Sequence, residues 1–296
     1  RGLGDVYKRQ LKGRYPPASS IKPAIAMYGI EEGLIDWDFS IFDEGFFTLP
    51  EDGRIYRDWK EGGHGDTNLF KAITQSSNTY FFDLAYRSDI NQLNKHLSSL
   101  GFGDKACIDC FEEDQVFVPE PSWKMNKHNF GWFKGDTVNM GVGQGYLVST
   151  PIQLAKYAYI MANKGKFSDL SLKKDLVKSE KSIEFNKFSN DDWFKLHESM
   201  VNVIEGNTGT ARRLRERKNY IVAAKTGTAE LVSGDNREQY SETRLDDSLR
   251  DHALIIAFGP MPNPRYAVSV VVENGESGGS VAGPVAISVL NSLIQE

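Results

Sequence analysis

The sequence predicts an α+β fold in which an antiparallel sheet packs against helices, and three observations carry that prediction. Helix-period apolar segments with recognisable start and stop signals recur up to about residue 205. Beyond that point the pattern changes to short β-rich runs at 220–224, 253–258 and 266–272. A last helix-period segment, 281–294, closes the chain and can cover one face of the sheet that those runs would form.

The elements follow in order. Pro16-Pro17 fixes the entry to a first helix whose apolar positions are Ile21, Ala24, Ile25 and Tyr28. Pro23 is tolerable there, because backbone donors in a first turn lack helical partners anyway. A helix-like stretch (Leu69, Ile73, then Tyr80, Phe81, Leu84) is interrupted by Ser76-Ser77-Asn78, residue types that favour caps and turns. Thr150 as N-cap, Pro151 at the first helical position and Gly165 as terminator bracket a helix through Leu154, Ala158 and Met161. Residues 166–189 are polar and lysine-rich and read as a surface excursion, and Asp191 to Glu205 as the next helix. Tyr220 to Ala224, Ala253 to Phe258 and Tyr266 to Val272 then read as successive strands of a meander, the last two joined through Pro260-Met261-Pro262-Asn263-Pro264.

Composition bounds the function. With 296 residues, 40% of them hydrophobic, the chain can bury a sizeable core, and a formal charge of −5 gives no general case for nucleic acid. No run of 18 apolar residues offers a membrane span.

Two motifs almost two hundred residues apart carry chemistry. Ser19-Ser20-Ile21-Lys22 puts a hydroxyl and an amine one helical turn apart, where they can meet. A serine hydroxyl needs a base. Lys22 could serve only when neutral, which requires its pKa to fall roughly three units at a cost of about 4 kcal/mol. Burial and a nearby cation push that way, and Lys225, in a Lys225-Thr226-Gly227-Thr228 run closing an apolar segment, is the candidate cation. The Ser-x-x-Lys spacing alone is weak, and the chain holds a second copy, Ser171 to Lys174, in a lysine-rich stretch that reads as solvated surface. Ser76 could relay a proton to a leaving amine and Asn78 could hydrogen-bond a substrate amide. The order decides: Ser-x-x-Lys, Ser-x-Asn and Lys-Thr-Gly occur in sequence, the last of them expected well under once by composition.

With these three motifs the chain resembles the penicillin-binding proteins and serine β-lactamases, whose signature they form. The resemblance runs from about Gly13 to the end and is nearest to the penicillin-binding protein 2 subgroup, class B transpeptidases of cell elongation. Tyr15-Pro16-Pro17-Ala18-Ser19, Tyr56-Arg57-Asp58-Trp59-Lys60 with Gly63-His64-Gly65, and Gly135-Asp136-Thr137 leading into Gly141-Val142-Gly143-Gln144-Gly145-Tyr146 support it. It implies a transpeptidase-like α+β fold with an antiparallel sheet flanked by helices, an all-helical lobe, and the N-terminal strands missing from this chain. Residues 1–10 match nothing in the family and look like a sequencing-adapter scar, which leaves 11–296 as a transpeptidase domain incomplete at its N-terminus. Without its partner strand, the strand around Val268 would leave an apolar edge, and the isolated piece is expected to be unstable or aggregation-prone.

The resemblance also implies a function: a peptidoglycan D,D-transpeptidase that cross-links stem peptides through a serine acyl-enzyme and binds penicillin covalently at the same serine. In that reading Ser19 attacks a D-alanyl-D-alanine carbonyl, Lys22 accepts its proton, and Ser76, Asn78 and Lys225 complete the catalytic set. Thr226, Gly227 and Thr228 bind the substrate carboxylate, and Gly227 lets the strand approach the substrate. The backbone N–H groups of Ser19 and Thr228 form an oxyanion hole, typically worth about 3 to 4 kcal/mol per donor. Implied partners are stem peptides and β-lactams, a membrane-bound glycosyltransferase and elongation scaffold proteins, at the periplasmic face of the inner membrane, with a membrane contact only through an N-terminal anchor outside this chain. No cofactor and no nucleic acid are implied.

Several residues have competing readings. Asp43, Asp58 and His64 fall at the spacing of three ligands of a zinc site that resembles one in some members of the subgroup, where a cysteine inside Ser-x-Asn is the fourth. Here that position is Ser77, which favours a structural role for all four. Cys107 and Cys110 form a lone C-x-x-C, read as a disulfide or two free thiols. Gly141, Gly143 and Gly145 read as a packing turn, not a nucleotide site, and His96, His128, His197 and His252 as structural. Two rivals remain: a β-lactam hydrolase, for which Glu198 and Asn202 loosely imitate a water-activating pair, and an inactive truncated or scaffold fragment.

Overall fold

The computed structural model describes residues 9–174, 179–231 and 249–294. Pro17 leads into a 3₁₀ turn, Ala18–Ile21, which runs into helix α1, Lys22–Glu31, with Pro23 in the first turn where its missing N–H costs nothing. Every α1 residue from Lys22 to Ile30 is buried, so this helix is the spine of the molecule. Between Ser40 and Asn68 lie two small hairpin-like pairs that the sequence pattern does not foreshadow. Strand β1 (Ser40–Asp43) pairs with β4 (Gly65–Asn68), and β2 (Phe46–Thr48) with β3 (Ile55–Arg57), all antiparallel.

The helical lobe then follows: α2 (Leu69–Gln75), α3 (Asn78–Arg87), α4 (Ile90–Ser99), α5 (Pro121–His128) and α6 (Lys134–Gly141). The break foreseen at Ser76 is real. Ser76 adopts a left-handed conformation (φ 62°), and the Ser77 hydroxyl caps α3 by accepting from the Tyr80 N–H. Helix α7 (Pro151–Ala162) opens with a capping box in which Thr150 and Gln153 satisfy each other's backbone N–H groups. The excursion at 166–189 carries a two-residue pair, β5 (Lys166–Phe167) with β6 (Lys181–Ser182), and packs Phe188 into the core. Helix α8 (Asn190–Glu205) matches the expected span within one residue.

The main sheet has the order β7 (Ala223–Ala229), β8 (His252–Gly259), β9 (Tyr266–Val272), antiparallel throughout, and α9 (Gly283–Ile294) packs on it. Alternation sets its two faces. Ala224, Ala253, Ile255 and Ala257 meet Ala286, Ile287 and Leu290 of α9, while Ala223, Leu254, Ile256 and Phe258 join the core built around α1. One strand differs from expectation. The run at Tyr220–Ala224 was expected to end before the Lys-Thr-Gly motif, yet β7 begins at Ala223 and carries the motif in its middle. The ladder sets the limit: Ala223 pairs with Phe258, beyond which Gly259-Pro260 cannot continue the pairing. Tyr220 instead donates its hydroxyl to Asn291.

Cys107 and Cys110 are disulfide-bonded. Among the described residues no helix is long and apolar enough to cross a membrane.

Candidate active site

Ser19 is held by a contact between two backbones. Ala18 sits at φ 49°, a strained value for a residue with a Cβ, and its N–H donates to the Gly143 carbonyl at 2.8 Å. Gly143, at φ 71°, has no room for a side chain, since a Cβ there would lie 2.2 Å from the Ala18 oxygen. The Gly141 to Gly145 run is therefore a packing turn, and what it packs against is the serine turn. Ser19 itself is half-buried between the fully or nearly fully buried Ala18, Ser20, Ile21 and Lys22.

The direct Ser19–Lys22 hydrogen bond that the i, i+3 spacing predicts is not made. Lys22 Nζ instead donates to the Ser76 carbonyl (2.8 Å), the Ser77 carbonyl (3.0 Å) and Asn78 Oδ1 (2.7 Å), with Ser76 Oγ at 3.3 Å. Lys225 Nζ reaches the same hydroxyl from β7, at 2.8 Å. Ser76 Oγ thus bridges two fully buried amines. Burial pulls Lys22 down to about 7, against the opposing pull of the Asp58 and Asp43 carboxylates. Lys225 is held well below the usual lysine range by burial first and by the Lys22 charge second. The neutral amine that the chemistry needs is what this site favours.

Strand β7 presents the rest. Thr226 Oγ1 pairs with Thr210 Oγ1 at 2.7 Å, and Thr228 is exposed, its carbonyl accepting from Gln144 Nε2 at 3.3 Å. A Cβ on Gly227 would lie 3.2 Å from the Pro17 carbonyl oxygen, 3.3 Å from the Leu254 Cβ and 3.4 Å from the Ala18 Cβ, so the glycine lets the strand lie against the serine turn. A second glycine contact, unforeseen, backs the strand: a Cβ on Gly278 would meet the Gly227 and Leu254 carbonyls at 2.5 and 2.3 Å.

Asp43, Asp58 and His64 do converge, with one potential ligand atom from each within 4.8 Å of the others. Their donor set does not fit a four-ligand zinc site. The hydroxyl of Ser77 replaces the thiolate and donates to Asp43 Oδ2 at 2.6 Å. Asp58 Oδ2 accepts from the Asn78 and Thr79 N–H groups at 2.6 and 2.9 Å, and its other oxygen meets His64 Nε2 at 3.3 Å. Burial works to raise the Asp58 carboxyl, but the His64 hydrogen bond, the Lys22 charge and backbone N–H donors outweigh it and leave it at about 2. The cluster is a hydrogen-bonded clamp on the first turn of α3, next to Ser76 and Asn78.

The remaining candidates are structural in their contacts. His96 and His197 bond the Ala24 and Met161 carbonyls, His252 accepts from the Asn274 N–H, and His128 stacks on Trp123 and Tyr146. Ser171, of the second Ser-x-x-Lys, bonds Asp109 at the surface. Glu198 is exposed, and the Asn202 amide is spent on the Glu198 carbonyl. Trp59, Gln144 and Thr210 are the members of this neighbourhood that motif reading did not single out for a role. The first two lie inside stretches quoted for the resemblance, and no local signal marks Thr210.

A half-buried serine on a turn packed against β7, with two buried amines converging on Ser76, thus lies between a helical lobe and the edge strand of an antiparallel sheet. The chain belongs to the penicillin binding protein transpeptidase domain family, whose model matches residues 3–291. It is similar to the peptidoglycan D,D-transpeptidase MrdA of Haemophilus influenzae, at 37% identity over 98% of this chain and 46% of that protein. The Acinetobacter baumannii MrdA is 39% identical over 94% of this chain and 42% of the relative. The chain thus spans about half the length of the curated relatives it matches. Among solved structures it resembles Pseudomonas aeruginosa PBP2 in complex with WCK 5153, with a TM-score of 0.87 and 35% identity over 98% of this chain and 63% of that one. It also resembles PBP2 in the complex with MreC from Helicobacter pylori, with a TM-score of 0.83 and 30% identity over 96% and 51%.

Proposed function

We propose that this chain is the acyl-transfer domain of a peptidoglycan D,D-transpeptidase of the elongation type, and that it binds penicillin covalently at Ser19. The observation that carries this reading is the Ser76 hydroxyl shared by the buried amines of Lys22 and Lys225, beside a half-exposed serine. Ser19 Oγ attacks the D-alanyl-D-alanine carbonyl and gives its proton to neutral Lys22. Ser76, hydrogen-bonded to both amines, gives its proton to the leaving D-alanine nitrogen and takes in return the one held by the Lys22 ammonium, which restores neutral Lys22. Asn78 holds a substrate amide, and Lys225, Thr226 and Thr228 hold the terminal carboxylate. The Ser19 N–H lies in a first turn, where donors lack helical partners, and the Thr228 N–H lies on the edge strand β7; together they receive the oxyanion. The acyl group then passes to an amine of a neighbouring stem, forming the cross-link.

We take the domain as 11–296, although the family match begins at residue 3, inside the stretch read as a scar. For its setting we propose the periplasmic face of the inner membrane, with a scaffold protein of the MreC kind and a polymerising glycosyltransferase as partners; the Helicobacter pylori PBP2 solved with MreC and the similar fold of a chain from a peptidoglycan synthase complex support the partners. Intact mass after exposure to benzylpenicillin tests the chemistry. The wild type should gain one penicilloyl adduct that persists, and Ser19→Ala should gain none. An adduct on the variant, or none on the wild type, sinks the reading; rapid loss of the adduct with release of penicilloic acid would make the protein a hydrolase instead.

A further inference from the structure

Ser76 is the strained centre of the site. It is a non-glycine residue in the left-handed region, an unfavourable conformation that persists only when its surroundings fix it. Its hydroxyl position depends on that turn, because the backbone angles decide where Oγ points. Two groups hold its carbonyl. One is Lys22 Nζ at 2.8 Å, and the other is the indole Nε1–H of Trp59 at 3.1 Å.

Trp59 is an unusual place to find such a bond. The residue is 59% exposed, so packing against the core does not explain it. What seats it is polar and local. The ring lies edge-on to His64 at 5.5 Å, and His64 in turn meets Asp58 and Gln75. Asp58 caps the first turn of α3 through the Asn78 and Thr79 N–H groups. One short segment therefore grips both sides of the Ser-x-Asn turn: Asp58 from the helix side, Trp59 from the carbonyl of its first residue.

We propose that Trp59 is a positioning residue for acyl transfer, its indole N–H holding the Ser76 carbonyl so that the Ser76 hydroxyl stays between the Lys22 and Lys225 amines. The assignment rests on the acyl-transfer reading above. It also bears on Lys22: a carbonyl already engaged by the indole is a weaker acceptor for an ammonium. Releasing it favours the charged amine, whose other neighbours are Asp43, Asp58, Lys225, Asn78 and the ring of Phe81.

The test compares the full-length protein with its Trp59→Phe and Trp59→Ala variants by time-resolved labelling with fluorescent benzylpenicillin across pH 5.5 to 9. A rate constant reports the geometry of folded molecules, whereas the amplitude reports how many there are. Trp59→Phe keeps an aromatic ring beside His64 while losing the N–H along with the pyrrole part of the indole. Both variants should label about ten to a hundred times more slowly, by similar factors, and the acid limb of the rate profile should move to higher pH. A Trp59→Phe rate constant equal to wild type overturns the proposal, as does a loss confined to amplitude. A wild-type protein that never labels removes the underlying acyl-transfer reading, which is a different failure.

Discussion

Lys22 makes four hydrogen-bond contacts through one amine and is entirely out of water. Its depressed pKa has two consequences with a definite sign. The competent, neutral form dominates above about 7, so the penicillin acylation rate should fall about tenfold per pH unit below that point. Stopped-flow or gel-based labelling across pH 5.5 to 9 measures it, and a rate flat down to pH 5.5 would exclude Lys22 as the base. For stability, an unfolded lysine titrates near 10.4, so between about 7 and 10.4 the unfolded chain binds more protons than the folded one. Burying Lys22 therefore costs stability fully below pH 7, and the cost disappears as pH rises through that window. Asp58, also depressed, has a pH slope of the same sign, but as a favourable term: its contribution is complete above about 4 and is lost as pH falls toward 2. Ser77 gives a further test. Elemental analysis of the wild type should show no stoichiometric zinc, whereas Ser77→Cys, which restores a fourth ligand, should take up about one equivalent and melt higher when zinc is present. At this scale Ser19, Lys22, Ser76, Asn78 and Lys225 were legible because short spacings and rare tripeptides mark them. Trp59 was not, since its partner is a backbone carbonyl, which no side-chain pattern records.

Among the elements, the serine turn and the Gly143 turn behave as one unit. Gly143→Ala places a methyl group 2.2 Å from the Ala18 oxygen at a φ that penalises any side chain. It should destabilise the domain by about 2 kcal/mol or more and slow labelling of Ser19, while Gly131→Ala, whose added methyl meets nothing within 4 Å and whose φ carries no such penalty, should leave the labelling rate unchanged. Thermal melts with parallel penicillin labelling distinguish the two. Helices α7 and α8 were readable to within a few residues because Thr150, Pro151, Asp191 and Asp192 carry start signals with a physical cause. Strands β1 to β4 were not. They are three or four residues long, and Gly65-Asp66-Thr67-Asn68 carries neither alternation nor apolar content. The contact between Gly227 and the serine turn was not legible for a similar reason: a glycine announces a close approach without saying from which side.

For the whole molecule, the outer strand of the main sheet matters most. All of β9 is half-buried, its apolar run Val268, Val270, Val271 and Val272 forming an edge of the described sheet. The 296 residues expressed alone should self-associate through that edge. Size-exclusion chromatography over a range of concentrations checks this, and a monomeric, cooperatively melting preparation would refute it. The α+β class was visible in the switch of period after residue 205, while the packing of two lobes around α1 was not, because a helix buried on every side shows no amphipathic stripe. The clamp formed by Asp58 and Trp59 also has an evolutionary side. On the acyl-transfer reading, antibiotic pressure need not alter any group that touches the drug. Substitutions among the small strands between Ser40 and Asn68 can loosen the Ser76 turn from behind, so surveillance of tolerant isolates should cover that stretch as closely as the three motifs themselves.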